Sequence, residues 1–110
     1  MSLGTWLGVA ALGGVGAIAR FVLDSGVSVR VGSGFPWGTL AVNATGSFAL
    51  GLVGTNVLLG TGLLGGYTTF STWMLETHRL AEDGRWRHAV LNVVGSLAVG
   101  LTAAWLGRQL

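Results

Sequence analysis

Three long stretches of this chain carry no Asp, Glu, Lys or Arg: Met1–Ala19, Val31–Leu75 and His88–Gly107. A helix rises about 1.5 Å per residue, so roughly 20 residues cross the ~30 Å hydrocarbon layer of a bilayer. The first and third stretches each hold one crossing, and the middle stretch, more than twice as long, holds two. The pattern therefore predicts four membrane-spanning helices, over about 4–23, 37–59, 62–80 and 88–107, forming a single domain over 1–110. What is left between them is short. A glycine- and serine-rich loop covers 24–36 (DSGVSVRVGSGFP), a tight hairpin covers 57–61, and a charged turn covers 81–87 (AEDGRWR).

Composition turns this pattern into a class. The 110 residues include 20 glycines, 51% hydrophobic residues and only 9% charged residues, against roughly 25% charged in a soluble domain. With mean hydropathy at +0.68, the chain reads as an all-α membrane protein with no room for a soluble catalytic domain. The opening MSLGTW lacks the basic region of a cleaved signal peptide, so the first span is expected to remain in the mature protein. A sequence pI near 10.6 does not point to nucleic acid, because the arginines sit at span ends and no basic stripe with interleaved aromatics exists. The absence of cysteine excludes disulfides and thiolate metal sites.

The charges that remain carry topology. An even number of spans puts both termini and the 57–61 hairpin on one side and the other two loops opposite. Arg30, Arg79, Arg85 and Arg87 lie on the loop side, and Arg108 lies on the side of the termini. Arginine excess marks the cytoplasmic side, so the two loops are expected inside the cell and both termini outside. Arg20, within span one, has a structural reading: it snorkels to the interface or bonds backbone carbonyls near a helix end.

Within the spans, small and polar residues replace the usual large hydrophobes. Gly4 and Gly8, Gly13 and Gly16, Gly46 and Gly51, and Gly95 and Gly100 recur at spacings that let helix backbones approach closely. Thr39, Asn43, Thr45 and Ser47 fall in span two, Thr68, Thr69, Ser71 and Thr72 in span three, and Asn92, Ser96 and Thr102 in span four. A lone hydroxyl satisfies itself on the preceding turn's carbonyl. An amide has more groups to pair, so Asn43 and Asn92 are expected to face another helix or a wet pathway. Four short helices enclose little space, which favours a pathway completed by oligomerisation.

Span three holds the densest chemistry, GLLGGYTTFSTWMLE over 62–76. Gly62, Gly65 and Gly66 are expected to interrupt the helix near its start, and backbone carbonyls freed there can hold a small hard cation or mark a plain kink. Phe70 and Trp73, three residues apart, share one helix face. Aromatic edges carry partial positive charge, so such a pair either packs against lipid or, with hydroxyl and amide donors, lines an anion path.

The motifs GGVGAIARF, WGTLAVNATGSFALG, GLLGGYTTFSTW and NVVGSLAVGLTAAWLG, one per span and in order, resemble the small fluoride channels of the Fluc or CrcB family. The resemblance implies an antiparallel dimer with a broken third helix, two fluoride pores along the subunit interface and a structural sodium ion at the dimer centre. On this chain it implies sodium ligation by the carbonyls of Gly65 and Thr68. It puts Phe70 and Trp73 at the pore-aromatic positions, Asn43 as a fluoride-facing amide, and Thr39, Ser71, Thr72 and Ser96 on the polar track. Arg20 matches a first-helix arginine of structural role. Trp73 stands where the family usually has Phe, and Asn92 where Tyr is expected; both departures bear on the pore lined by this subunit's own aromatics.

The function implied is passive, fluoride-selective export across a prokaryotic cell membrane, lowering fluoride toxicity. No enzyme is expected: no nucleophile has a base, and His78 and His88 lie near a charged turn without further ligands. One alternative is a small proton-coupled cation exporter, which needs a membrane-embedded carboxylate; Glu76 is the sole acidic candidate. Another is a non-conducting partner subunit. The arginine asymmetry favours one fixed orientation, hence pairing with a related second subunit of opposite topology, whereas a homodimer requires insertion both ways.

Overall fold

The computed structural model describes residues 2–32 and 34–110, and these fold into helices alone. Helix α1 (Leu3–Val31) starts at Ser2, whose Oγ accepts from the Thr5 amide at 3.2 Å. Its 29 residues extend about 43 Å, well beyond the hydrocarbon layer. The first span therefore continues as helix through most of the expected 24–36 loop, whose Ser33 lies outside the described residues. Glycine and serine within that stretch do not stop a helix already propagated from the membrane. The stop comes at Gly32, whose φ of 93° is open to glycine and strained for other residues.

Pro36 precedes α2 (Trp37–Val53), fixing the backbone at the helix entrance. The turn after α2 lies at Gly54–Asn56, a few residues before the expected hairpin. Gly54 turns the chain with φ 60°, and Asn56 Oδ1 accepts from the Leu59 amide at 2.9 Å, capping a π-helix over Val57–Leu64. The π-helix runs directly into the single α turn α3 (Gly65–Tyr67), and the Gly65 amide reaches the Gly60 carbonyl five residues back. Gly62, Gly65 and Gly66 thus lie inside helical geometry. The residues without it are Thr68–Phe70, with Thr68 extended at ψ 157°. After them α4 (Ser71–Glu82) leads through Gly84, φ 74°, to α5 (Trp86–Gln109).

Close backbone approach organises the bundle. The broadest contact is between α2 and α5, and the next is between α1 and the π-helix. At the first crossing, a Cβ on Gly51 would overlap the Ala104 carbonyl and one on Gly107 the Phe48 carbonyl. At the second, a Cβ on Gly16 would overlap the Leu63 carbonyl, and where α1 continues onto α3 one on Gly66 would overlap the Gly13 carbonyl. Lipid provides no hydrophobic drive between helices, so small residues that bring backbones together supply the dispersion contact. Gly13, Gly16 and Gly51 have the packing role expected of them. Gly4 and Gly95 do not: their nearest neighbours are the side chains of Ser2 and Leu91 on their own chain segments.

The distribution of large residues completes the membrane reading. Leu7, Val15, Ile18 and Phe21 of α1 and Val90, Val94, Leu101 and Trp105 of α5 are exposed, while Thr39 and Asn92 are buried. Both α1 and α5 are long and apolar enough to cross a bilayer. Apolar side chains outward and amides inward suit a hydrocarbon solvent, where an unpaired polar group facing outward costs several kcal/mol.

Candidate functional site

A groove of about 400 Å³ opens between α2, the end of the π-helix, the non-helical residues 68–70 and α5. Asn43, Phe70, Trp73 and Ser96 line it, together with Gly65 and Thr68. Asn43 sits across the interruption. Its Nδ2 donates to the Thr69 carbonyl at 2.9 Å and its Oδ1 accepts from the Thr69 amide at 2.9 Å, so one side chain replaces both helix bonds of one peptide residue. An amide nitrogen has two N–H groups. The Thr69 carbonyl takes one of them, and Asn43 itself lines the groove.

Two backbone carbonyls also lose their usual helical donors here. In an uninterrupted helix the amides of Thr69 and Thr72 would return to the carbonyls of Gly65 and Thr68. Here they are donated instead to Asn43 Oδ1 and, at 3.2 Å, to Thr69 Oγ1. These are the two carbonyls singled out in the sequence for sodium. Thr68 Oγ1, in contrast, turns back to the Leu64 carbonyl at 3.0 Å, the local satisfaction open to any threonine in a helix.

Phe70 and Trp73 form an edge-to-face pair with centroids 5.7 Å apart and planes at 79°. Their environments differ sharply: Phe70 is 69% exposed and Trp73 is 9% exposed. The indole N–H of Trp73 donates to the Asn92 carbonyl at 3.0 Å. It is therefore engaged within the subunit. Asn92, fully buried, donates from Nδ2 to Thr77 Oγ1 at 2.8 Å and accepts from Ser96 Oγ at 3.4 Å. Thus Asn92 faces another helix.

The proposed polar track is divided between two places. Thr39 and Thr72 line a second pocket of about 180 Å³ with Arg20 and Asp24, and Thr69, the partner of Asn43, lines both spaces. Thr39 is buried and its hydroxyl donates to Glu76 on α4, tying α2 to a helix it otherwise barely meets. Ser71 lines neither space. Arg20 lies beside Asp24 in this pocket, one turn apart on α1. Thr77 escaped notice in the sequence, although its spacing of four from Trp73 puts both on one helix face. Asp24, assigned to a loop, was missed because α1 runs eight residues past the expected end of the span.

Comparison with known proteins bears directly on this arrangement. Residues 7–108 match the family described as CrcB-like protein, Camphor Resistance (CrcB). The fluoride-specific ion channel FluC 2 of Mycolicibacterium paratuberculosis is 47% identical, with 99% of this chain and 95% of the relative covered. FluC of Geobacter sulfurreducens is 44% identical over 94% of this chain and 93% of its own length. FluC 1 of Rubrobacter xylanophilus is 48% identical over 90% and 86%, respectively. A match of this extent, on an all-helical chain with two long apolar helices and an amide-clamped interruption, shows that this protein belongs to the CrcB family.

Proposed function

We propose that this chain is a subunit of a passive fluoride channel in a bacterial cell membrane, letting cytoplasmic fluoride leave down its electrochemical gradient. The observation that carries the reading is the juxtaposition at residues 68–70. Asn43 holds the backbone open there, and the exposed Phe70 ring stands beside it at the mouth of the groove. A small, strongly hydrated anion needs several weak partial charges to replace its water without trapping it. A free amide N–H, the Ser96 hydroxyl and an aromatic edge are donors of that kind. The names carried by the relatives at 44–48% identity favour the same ion.

The groove lies on one flank of a single four-helix chain, so a second subunit is needed to enclose a path. An antiparallel partner, either a second copy or a related chain, would bring its own groove and aromatic pair to the same interface. A sodium ion fits at the subunit junction, held by the Gly65 and Thr68 carbonyls whose usual helical donors have other partners. Sodium there would neutralise the converging carbonyl dipoles and support assembly. One observation favours a second reading, in which this subunit's own aromatic pair does not conduct: the Trp73 N–H is tied to Asn92 and the indole fills space beside the groove. The chain would then serve as the partner of a conducting subunit.

The primary test is efflux from liposomes loaded with potassium fluoride or potassium chloride. Purified protein is expected to release fluoride rapidly and leave chloride inside. Equal retention of both ions by this chain, alone and with a co-expressed related subunit, would remove the channel reading.

Orientation is a separate expectation. Four arginines flank the loop side and one flanks the terminal side, so a single cysteine at residue 110 should be labelled by an impermeant reagent from the outside of intact cells. Equal labelling from both faces, with fluoride flux from this chain alone, would establish a homodimer of dual topology.

A further inference from the structure

Asn92 is an amide buried between helices and outside the groove lining. It is 0% exposed and absent from the groove lining, where its neighbour one turn on, Ser96, is present. Its bonds to the facing helix go to Trp73 and to Thr77, one turn further along. Its backbone carbonyl accepts the Trp73 indole N–H at 3.0 Å, and its Nδ2 lies 3.5 Å from the Trp73 carbonyl and 2.8 Å from Thr77 Oγ1. Thr77 Oγ1 in turn donates to the same Trp73 carbonyl at 2.9 Å. Trp73 is thereby held at both its ring nitrogen and its backbone. Phe70, largely exposed, rests its ring edge-to-face on that indole.

We propose that Asn92 is a positioning residue for permeation: it fixes the Trp73 indole across the α4–α5 interface, and the indole sets the angle of Phe70 at the groove. Asn92 does not meet the ion. A buried amide is costly to leave unpaired, so the bonds on both helices define one relative rotation of α4 against α5. Phe70 has no comparable restraint of its own. Its orientation follows from the surface on which it rests, and an aromatic edge attracts an anion only when the ring is turned edge-on. Loss of the clamp should therefore disturb ion selection through Trp73 before it disturbs the fold.

This inference rests on the fluoride-channel reading for its flux arm and is independent of it in its spectroscopic arm. Asn92→Ala removes the side-chain amide that sets the rotation of α4 against α5 while keeping the backbone carbonyl that accepts the indole N–H, and Trp73→Phe removes the indole donor while keeping a ring. In fluoride-loaded liposomes each should slow efflux about tenfold, and the double variant should lose no more than about tenfold, because both break one coupled unit. Chloride leakage should rise in both single variants. Independent losses, about a hundredfold in the double variant, would make Asn92 a direct contributor and overturn the proposal, as would wild-type flux and selectivity in Asn92→Ala.

The second arm uses a chain in which Trp6, Trp37, Trp86 and Trp105 are replaced by Phe, leaving Trp73 as the sole emitter. Asn92→Ala should shift its emission to the red and raise its quenching by acrylamide. Thr77→Val, which removes the acceptor of the Asn92 amide at nearly constant shape, should do the same in smaller degree and replaces Asn92→Ala should that variant not purify. Unchanged emission overturns the clamp whether or not the parent protein conducts fluoride. An altered emission in a parent that releases no fluoride would preserve the clamp and refute the channel.

Discussion

Asn43→Leu is expected to lower fluoride efflux about a hundredfold, the larger of the two losses we anticipate at the groove. The side chain accepts the Thr69 amide and donates to the Thr69 carbonyl, both at 2.9 Å. Leucine has nearly the same volume and satisfies neither. Two stranded backbone groups at about 1.4 kcal/mol each correspond to about a factor of one hundred in the population of the open backbone. The second N–H of the amide disappears as well. Phe70→Ile is the informative companion. Phe70 is exposed on this chain, so its removal should leave the fold of the subunit intact while slowing efflux about tenfold through loss of the aromatic edge. Stopped or electrode-monitored efflux from liposomes measures both variants, with size-exclusion elution checking assembly. Flux at the wild-type rate in both would sink the assignment of this groove as the ion path.

The second large effect concerns the fold. At Gly66 an added Cβ would collide with the Gly13 carbonyl and lie 2.8 Å from Gly13 Cα, so the neighbouring group is backbone and has no rotamer into which to retreat. Gly66→Ala should force α1 and α3 apart. Overpacking alone costs about 1–3 kcal/mol, and separating the helices also forfeits the dispersion contact that holds α1 to the π-helix. The variant is expected to reach the membrane in much lower amount and to elute as aggregate in detergent. Gly95→Ala is the matched control, since the nearest group to its added Cβ is Leu91 Cδ1 at 3.7 Å, an ordinary contact. Equal yields and equal melting of the two variants would show that the α1–α3 crossing does not limit stability.

Much of this site was legible in the chain, though unevenly. Asn43, Phe70, Trp73, Ser96, Gly65 and Thr68 were singled out from residue type and motif, and the bundle gathers them around one groove. Thr39 and Thr72 fall in a second pocket with Arg20, and Thr39 is joined to Glu76, a residue considered only for proton coupling. The interruption illustrates the limit. Glycines suggested a break at 62–66 because glycine weakens a helix in water. In contact with α1 those glycines permit close packing, and helical geometry persists through them. The chain leaves the helix at Thr68–Phe70, where Asn43 supplies the replacement bonds.

The charge-free lengths, the apolar surfaces of the long helices and the arginine asymmetry follow from the order of residues along the chain. Charge-free length and loop charge are one-dimensional quantities, and the bilayer reads them directly. Pairing is different in kind. Asn43 finds Thr69 across 26 residues, Trp73 finds Asn92 across 19, and Thr39 finds Glu76 across 37. Each of these depends on how far one helix is rotated against another and on how closely their backbones approach. Gly16 against Leu63 and Gly51 against Ala104 set those distances. Such contacts exist only once the bundle has closed, which is why the state of the Trp73 N–H, free or bound, was open in the sequence and is determined by the packing of α4 on α5.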